Sequence, residues 1–351
     1  MRVALDGTPL TLASGGLRRY VAELSCALAG EFPGDTFLLA SNAGFKLPEG
    51  APANLAPAPG PGNAIERRWW SWGVNRLVDR ERIDVFHGTN FEVPYLPARP
   101  GVLTLHDLSP WDDVAERGRA QRVRSRTPAL IRLGIAGMII TPTETIRRQA
   151  IETFRIHPDR VVAVPEAAAA SFEPAGCVPA APYFLYVGAV GHRKNVATAI
   201  EAWREVRKRH AVDLVLAGDE RADFFPEPGF RALGVVDDRR LAELYSGAVA
   251  LLYPSLYEGF GLPVLEAMQC GAAVITSRDP AVAEVAGDAA VRLDARDVRA
   301  WAEAMAFAVE NPEWLADLRA KSLERARGFS WRNTARLTRD VYDEAIRRFG
   351  A

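Results

Sequence analysis

Two carboxylates, Glu258 and Glu266, bracket a glycine-containing turn in the segment YPSLYEGFGLPVLEAMQCG, Tyr253 to Gly271. A strand is expected to end near Ser255, and Pro263 suits the first position of a helix that Gly271 stops. Gly259 and Gly261 leave backbone N–H groups accessible beside that helix start, which together form a site fit for a phosphate. Carboxylates next to a phosphate would repel it, so hydroxyl groups are the better ligands for this pair, because an ionised carboxylate is a good bidentate acceptor. Phosphate and hydroxyls together are the chemistry of a sugar nucleotide. An isolated Glu pair more often has a plainer role, one as a dipole-favoured helix residue and the other as a solvated loop charge. Here the neighbouring segments decide the matter.

The segment YVGAVGHRKN, Tyr186 to Asn195, reads as a strand ending at Gly188 and a helix beginning near Asn195. Arg193 and Lys194 at that entry can neutralise a diphosphate, and Gly188 and Gly191 let the backbone approach it. On its own the motif would also fit a solvated basic pair. Gly15 and Gly16 form a turn between the first strand and a helix. A flexible loop is the usual meaning of such a turn. Two further strand ends carry His87, Thr89 and Asn90 in FHGTNFEVP and His106 and Asp107 in TLHDLSPW. A histidine beside an aspartate can orient a hydroxyl or act as a base, although a hydrogen-bonded structural histidine is commoner.

Positioning these loops requires many parallel strands. With 351 residues, the chain is too long for one comfortable core, and two domains are expected. Short apolar runs alternate with helical-period segments, as parallel sheets with helical crossovers demand. In the first half they are RVALD, TFLLAS, IDVFHG, GVLTLHD, GMIITPT and RVVAVPE. In the second half they are YFLYVG, VDLVLAG, ALGVV, VALLYPS and AAVITS. The fold class is therefore α/β, with two Rossmann-like parallel-sheet domains expected to face a central cleft and ligands expected at the carboxyl ends of the strands. Pro174, Gly176, Pro179 and Pro182 place the boundary near residue 176, giving domains 1–175 and 176–330. Residues 331–351 form a last amphipathic helix with Leu337, Val341, Tyr342 and Ile346 on one face, expected to pack back on the N-terminal domain. Lys46 to Asn63, rich in Pro, Gly and Ala, reads as a long surface loop.

The stretch EGFGLPVLE, with its flanks and the later EVAGDAA, resembles the signature of retaining glycosyltransferase family 4, which has the GT-B architecture. The resemblance implies that Glu258 contacts hydroxyls of the transferred sugar and Glu266 the nucleotide ribose. Backbone at Gly259, Phe260, Gly261 and Leu262 would lie near the sugar and diphosphate, and Arg193 and Lys194 would grip the diphosphate. It also implies that the loop at Gly16 covers the donor phosphates, that Gly218 and Val235 line the nucleotide, and that His106 lies near the reacting centre. His87, Asn90 and Asp107 are placed with His106 on the acceptor side. In such retaining enzymes the departing diphosphate is thought to assist deprotonation of the acceptor, so catalysis rests on positioning and charge stabilisation. VPEAAAASF departs from the family pattern, which usually has Gly in this turn, so Glu166 receives no role from the resemblance. GGLRRYVAEL, HGTNFEVP and HDLSPW look most like bacterial mannosyltransferases of polysaccharide or O-antigen assembly. GDP-mannose is therefore the favoured donor and a glycan or lipid-linked oligosaccharide the acceptor, with UDP-hexoses and activated deoxysugars such as rhamnose as alternatives.

Other classes fit less well. No strand is followed by G-x-G-x-x-G and no GxxxxGK[ST] occurs, which disfavours dinucleotide dehydrogenases and P-loop enzymes. A pyridoxal-phosphate phosphorylase needs a Schiff-base lysine, and Lys194, Lys208 and Lys321 of the second half have no suitable setting. A catalytically silent nucleotide- or glycan-binding relative is disfavoured by the retained Glu258, Glu266, Arg193 and Lys194. Net charge is −1 with both signs balanced in each half, so no nucleic-acid partner is expected. No cofactor and no metal are expected, since basic residues can take the diphosphate charge. Cys26, Cys177 and Cys270 are far apart, and no signal-like or membrane-spanning run occurs, so a cytoplasmic location is expected. Six arginines and no acid between Arg117 and Arg132, with the nearby RRWWSWGV, could contact the anionic inner face of a membrane or form a solvated helix face and a core cluster.

Overall fold

Alternating apolar runs and amphipathic helices build two sheets, each wholly parallel, in a computed structural model that describes residues 1–111, 119–176, 179–218 and 227–349, with backbone alone at 119 and 120. Cys177, Arg117 and the side chain of Arg119 lie outside the described residues. The N-terminal sheet comprises β1 (Arg2–Asp6), β2 (Thr36–Ala40), β3 (Leu55–Pro57), β4 (Val85–Gly88), β5 (Gly101–Thr104), β6 (Met138–Thr141) and β7 (Val161–Ala163). Its order is β3-β2-β1-β4-β5-β6-β7. The C-terminal sheet comprises β8 (Tyr183–Val187), β9 (Asp213–Ala217), β10 (Phe230–Ala232), β11 (Leu251–Tyr253), β12 (Val274–Ser277) and β13 (Val291–Leu293), in the order β10-β9-β8-β11-β12-β13. Central strands such as β4, β5, β8 and β11 are buried along their whole length, which is why they read as unbroken apolar runs.

Two edge strands, β3 and β13, escape a reading by periodicity, whereas β7 at the other edge of the first sheet lies in RVVAVPE as expected. β3 lies inside the stretch expected to be a long loop, where Pro57 is tolerated because an edge strand has one unpaired side. β13 pairs Ile275 with Val291 through Ser277 with Leu293. β10 is Phe230–Ala232 and not ALGVV, because Gly234 at φ 64° turns the chain away after Ala232.

Two compact units are formed, 1–166 with 331–351, and 167–330. The change of unit therefore falls ahead of the expected boundary near residue 176. Ala168, Ala169 and Phe172 are buried in the C-terminal core, and Gln269 holds them by donating to the carbonyls of Ala169 and Phe172, both at 2.8 Å.

The helix Trp331–Phe349 packs against the helix Gly16–Glu31 of the first unit. Its buried stripe is Thr334, Ala335, Thr338, Val341, Tyr342 and Ala345, while Leu337 and Ile346 of the expected face are only half-buried. Arg336 with Glu31, Arg339 Nε donating to Asp35 at 2.8 Å, and Thr334 donating to the Pro165 carbonyl at 2.7 Å fasten it there.

Candidate functional site

Within the C-terminal unit, the chain leaves β8 through Gly188 and reaches the helix Val196–Arg207 by way of a short turn, His192–Lys194. Asn195 closes that turn in the left-handed region at φ 50°, where asparagine is better tolerated than most side chains. Its amide donates to the carbonyls of Pro254 at 3.1 Å and Ala295 at 2.6 Å, which ties the turn to the end of β11. Arg193 and Lys194 are thereby aimed at Glu258. The Lys194 ammonium donates to Glu258 Oε1 at 2.6 Å and to the Tyr253 hydroxyl at 3.2 Å. Arg193 donates to the Tyr257 carbonyl at 3.0 Å and lies 3.4 Å from Glu258 Oε2.

Glu258 is buried, and burial alone would raise its pKa; the adjacent Lys194 and Arg193 charges outweigh that and hold the carboxyl below its usual range. Its backbone N–H donates to Asp279 Oδ2 at 3.2 Å. Asp279 also caps the helix Pro280–Ala286, accepting from Ala281 at 3.0 Å and Val282 at 2.9 Å. Burial raises the Asp279 pKa and Glu258 adds to that, against three backbone donors. The Lys194 and Arg193 cations thus sit on Glu258 at the entrance to the glycine turn, with Asp279 behind the Glu258 backbone. Gly261 sits at φ 98° and starts the helix Leu262–Gln269 without any side-chain cap. A side chain at 261 would be strained, and its Cβ would stand 3.3 Å from Val282.

Gly259, Phe260 and Leu262 follow Glu258 in this turn, all three buried. Glu266, on the same helix, is buried and accepts from the Tyr245 hydroxyl at 3.0 Å, so it is held by the helix Asp238–Gly247. Gly218 follows β9 at φ 112° directly against Gly188, whose backbone nitrogen would lie 3.2 Å from a Cβ at 218. Val235, beyond β10, is 51% exposed and faces solvent. Sequence reasoning missed Asp279, Tyr253 and the structural work of Asn195. An Asp before Pro in SRDP was a readable helix start; nothing in the sequence connects Tyr245 to Glu266.

Within the N-terminal unit, Gly16 begins its helix after Gly15 at φ 111°. Arg18, on the first turn of that helix, donates to the Leu10 and Leu12 carbonyls, at 2.7 and 3.1 Å. His106 follows β5. Its Nε2 lies 2.8 Å from the Thr89 carbonyl and its Nδ1 3.2 Å from Glu166 Oε1. Burial lowers its pKa, but Glu166 through hydrogen bond and charge, the Thr89 carbonyl and Asp107 together raise it. Glu166 thus has a partner that sequence reasoning did not supply. Asp107 is engaged locally, accepting from the Ser109 N–H at 3.0 Å and hydroxyl at 2.7 Å. Asn90 is buried with its Oδ1 unpartnered among the described residues.

His87 is placed differently from the expectation of an acceptor-side residue. It is fully buried, with Nδ1 2.8 Å from the Tyr342 hydroxyl and Nε2 2.7 Å from Thr104 Oγ1. Burial pushes its pKa down to about 3, with the His106 charge adding to that. One nitrogen ties β4 to the last helix and the other ties β4 to β5, so both are used in holding the unit together.

Two parallel-sheet domains of Rossmann type, one bearing an E-x7-E turn beside a basic loop, define the GT-B glycosyltransferase class. Residues 171–328 match the model for glycosyl transferases group 1, and residues 14–172 match that for glycosyltransferase family 4. The O-antigen chain mannosyltransferase B of Escherichia coli is 33% identical, with 79% of this chain and 78% of that protein covered. The D-inositol 3-phosphate glycosyltransferase 2 of Catenulispora acidiphila is 28% identical over 60% of this chain and 57% of its own. Among solved structures, a sucrose-phosphate synthase from Thermosynechococcus elongatus has the same fold, with a TM-score of 0.75 at 19% identity and 99% of both chains covered. The chain belongs to glycosyltransferase family 4.

Proposed function

We propose that this protein is a retaining mannosyltransferase that moves mannose from GDP-mannose to a hydroxyl of a glycan or lipid-linked acceptor. The observation that carries the reading is Glu258 held between Lys194 and Arg193 beside an uncapped helix start. The likeness to a mannosyltransferase supports the choice of sugar. In the reaction the bond from the anomeric carbon to the diphosphate oxygen breaks, and a bond from that carbon to the acceptor oxygen forms on the same face. The acceptor proton passes to the departing diphosphate, whose charge Arg193 and Lys194 stabilise. Glu258 accepts from hydroxyls of the sugar and Glu266 from those of the ribose, while Gly16, Gly188, Gly218 and Val235 provide backbone and surface for the rest of the donor. His106, Asp107 and Asn90 are assigned to the acceptor side. No cofactor and no metal are proposed, since the two cations meet the diphosphate directly.

A thermal-shift screen of GDP, UDP and their sugars in the presence of a chelator tests this. Ligand at a hundred times its Kd stabilises by about 2.7 kcal/mol, so GDP-mannose and GDP should raise Tm clearly. No shift with any nucleotide sugar or diphosphate sinks the proposal. A larger shift with UDP sugars favours the alternative donors. The likeness to an inositol-phosphate glycosyltransferase favours adding inositol 3-phosphate to the acceptors tried.

A peripheral contact with anionic lipid is proposed for the N-terminal unit. No helix of the described residues is long and apolar enough to cross a membrane. Trp72, in the helical turn Trp69–Gly73, is 47% exposed, and Leu133, just after the helix Arg119–Arg132, is 74% exposed; Arg68 beside the turn and Arg122 and Arg132 on the helix are exposed as well. Tyr95 joins those elements, donating its N–H to the Trp70 carbonyl at 2.9 Å while Arg126 stacks over its ring at 4.9 Å. Each basic residue at such a surface is worth about 1 kcal/mol. Arg122→Glu with Arg132→Glu should therefore abolish co-sedimentation with phosphatidylglycerol vesicles. Equal binding to neutral phosphatidylcholine vesicles contradicts the proposal.

A further inference from the structure

A cavity of about 640 Å³ opens in the N-terminal unit at the carboxyl ends of β2 and β3, away from His106 and Asn90. Its floor is the turn after β2, Ser41 to Phe45, and its far wall is the chain after β3, including Pro57, Gly60 and Pro61. That wall is fixed. Glu66 accepts from the Gly62 N–H at 2.7 Å, and Asn63 Oδ1 accepts from the N–H groups of Ile65 and Glu66, both at 3.0 Å. The prolines restrict φ further. The floor is held too: Ser41 Oγ accepts from the Ala43 N–H at 3.1 Å, and the Phe45 ring rests beside Gly7 and Leu39.

The residues lining the cavity suit a particular ligand. They present an aromatic ring, a side-chain amide at Asn42, a hydroxyl, one guanidinium at Arg67 and no carboxylate. A single exposed arginine is a weak ligand for a diphosphate, whereas an aromatic face with scattered amide and guanidinium donors matches a polyhydroxylated, uncharged molecule. The location adds a direction. All seven strands are parallel, so their carboxyl ends share one edge of the sheet. Between the end of β2 and that of β5, which leads to His106, lie three strand spacings, roughly 14 Å.

We infer that this cavity is an acceptor subsite that holds the non-reacting sugar units of an oligosaccharide while its terminal hydroxyl lies over β4 and β5. The inference rests on the glycan-acceptor reading above and makes the enzyme selective for chain length. Binding energy gathered far from the reacting hydroxyl positions that hydroxyl.

The test compares methyl α-mannoside with mannotetraose as acceptors for GDP-mannose, in the wild type and in Asn42→Ala and Ala43→Trp. Both positions are exposed, so neither change disturbs the core, and the tryptophan adds an indole at the cavity floor that obstructs a bound sugar. The wild type should show a KM for the tetrasaccharide at least about tenfold lower, a difference of ~1.4 kcal/mol. Both variants should erase most of that preference and leave the KM for methyl α-mannoside unchanged. Equal use of the two acceptors by the wild type, or a preference that survives in Ala43→Trp, overturns the subsite. If neither acceptor is glycosylated, the glycan-acceptor reading fails on its own, and the cavity is tested by titrating mannotetraose against the amide NMR signals of residues 42 to 44. Saturable shifts there sustain the subsite, and their absence overturns it.

Discussion

Lys194→Ala binds GDP and GDP-mannose more weakly alike, whereas Glu258→Gln loses affinity for the sugar donor and retains it for GDP. The contrast follows from what each side chain can meet. Lys194 is a cation with three donors, two of them used by Glu258 and Tyr253, and a diphosphate is drawn to it whether or not a sugar is attached. Its loss removes charge that must meet the departing diphosphate, so kcat should fall by about 10²–10³-fold, the usual cost of one such donor. Glu258 can only repel a phosphate, and its value lies in hydroxyl contacts; a hydrogen bond to a charged group contributes about 1.5–3 kcal/mol, or roughly 10- to 100-fold in donor affinity. With Gln at 258 the two cations no longer share a carboxylate, so GDP binding should hold or improve. Calorimetric titration of both variants with both ligands reads the four affinities. Lys194→Ala with wild-type GDP affinity, or Glu258→Gln weakened equally for GDP and GDP-mannose, would falsify the division of roles. The wild-type arrangement also carries an acid limit. Because the folded Glu258 pKa lies below its ordinary value, its contribution is present above the usual carboxylate range and fades as pH falls through the lowered value.

The sequence disclosed the parts of this site that are local. Glycines at a strand end, a proline at a helix start and a basic turn before a helix each declare their backbone geometry within ten residues. Both sheets were legible for the same reason, since strands buried on both faces are nearly all apolar. What the sequence concealed is relational. Nothing near Glu258 announces that Asp279, beyond the next strand, takes its N–H, or that Asn195 reaches a carbonyl a hundred residues on. His87 and His106 look alike as histidines at strand ends. They differ because two hydroxyls surround one and a carbonyl with a carboxylate surround the other. The edge strands β3 and β13 are only partly buried, with Ala56, Pro57 and all of Val291–Leu293 half-buried or exposed, and neither shows a buried apolar run. The last helix buries Val341 and Tyr342 as its large side chains announce, but fills the rest of its stripe with Thr334, Ala335, Thr338 and Ala345, which no hydrophobic pattern marks.

That difference between the histidines makes the second large prediction, which is that Glu166→Gln moves the titration of His106 from above 6.5 to below it. The Thr89 carbonyl can only accept, so Nε2 carries a proton, and an ionised Glu166 can only accept, so Nδ1 carries one too. The Glu166 carboxylate facing Nδ1 thus favours the protonated ring against its burial, and a neutral glutamine withdraws the charge that does so. Since the folded pKa is raised, the pair's stabilisation is complete below 6.5 and is lost as pH rises through the folded value; breaking a buried pair of this kind costs about 3–5 kcal/mol. His87 works in the opposite sense. Its folded pKa of about 3 gives a contribution complete above 6.5 and lost as pH falls toward 3, so the N-terminal unit should be most stable between the two limbs. Imidazole NMR titration of wild type and Glu166→Gln, with denaturant unfolding across the same pH range, separates these effects. An unmoved His106 titration, or an alkaline limb that persists in Glu166→Gln, rules the pair out as its cause. The chemistry follows from the same protons. Both ring nitrogens are taken up by Thr89 and Glu166, so neither is directed at an acceptor hydroxyl, and protonation of His106 should leave kcat unchanged.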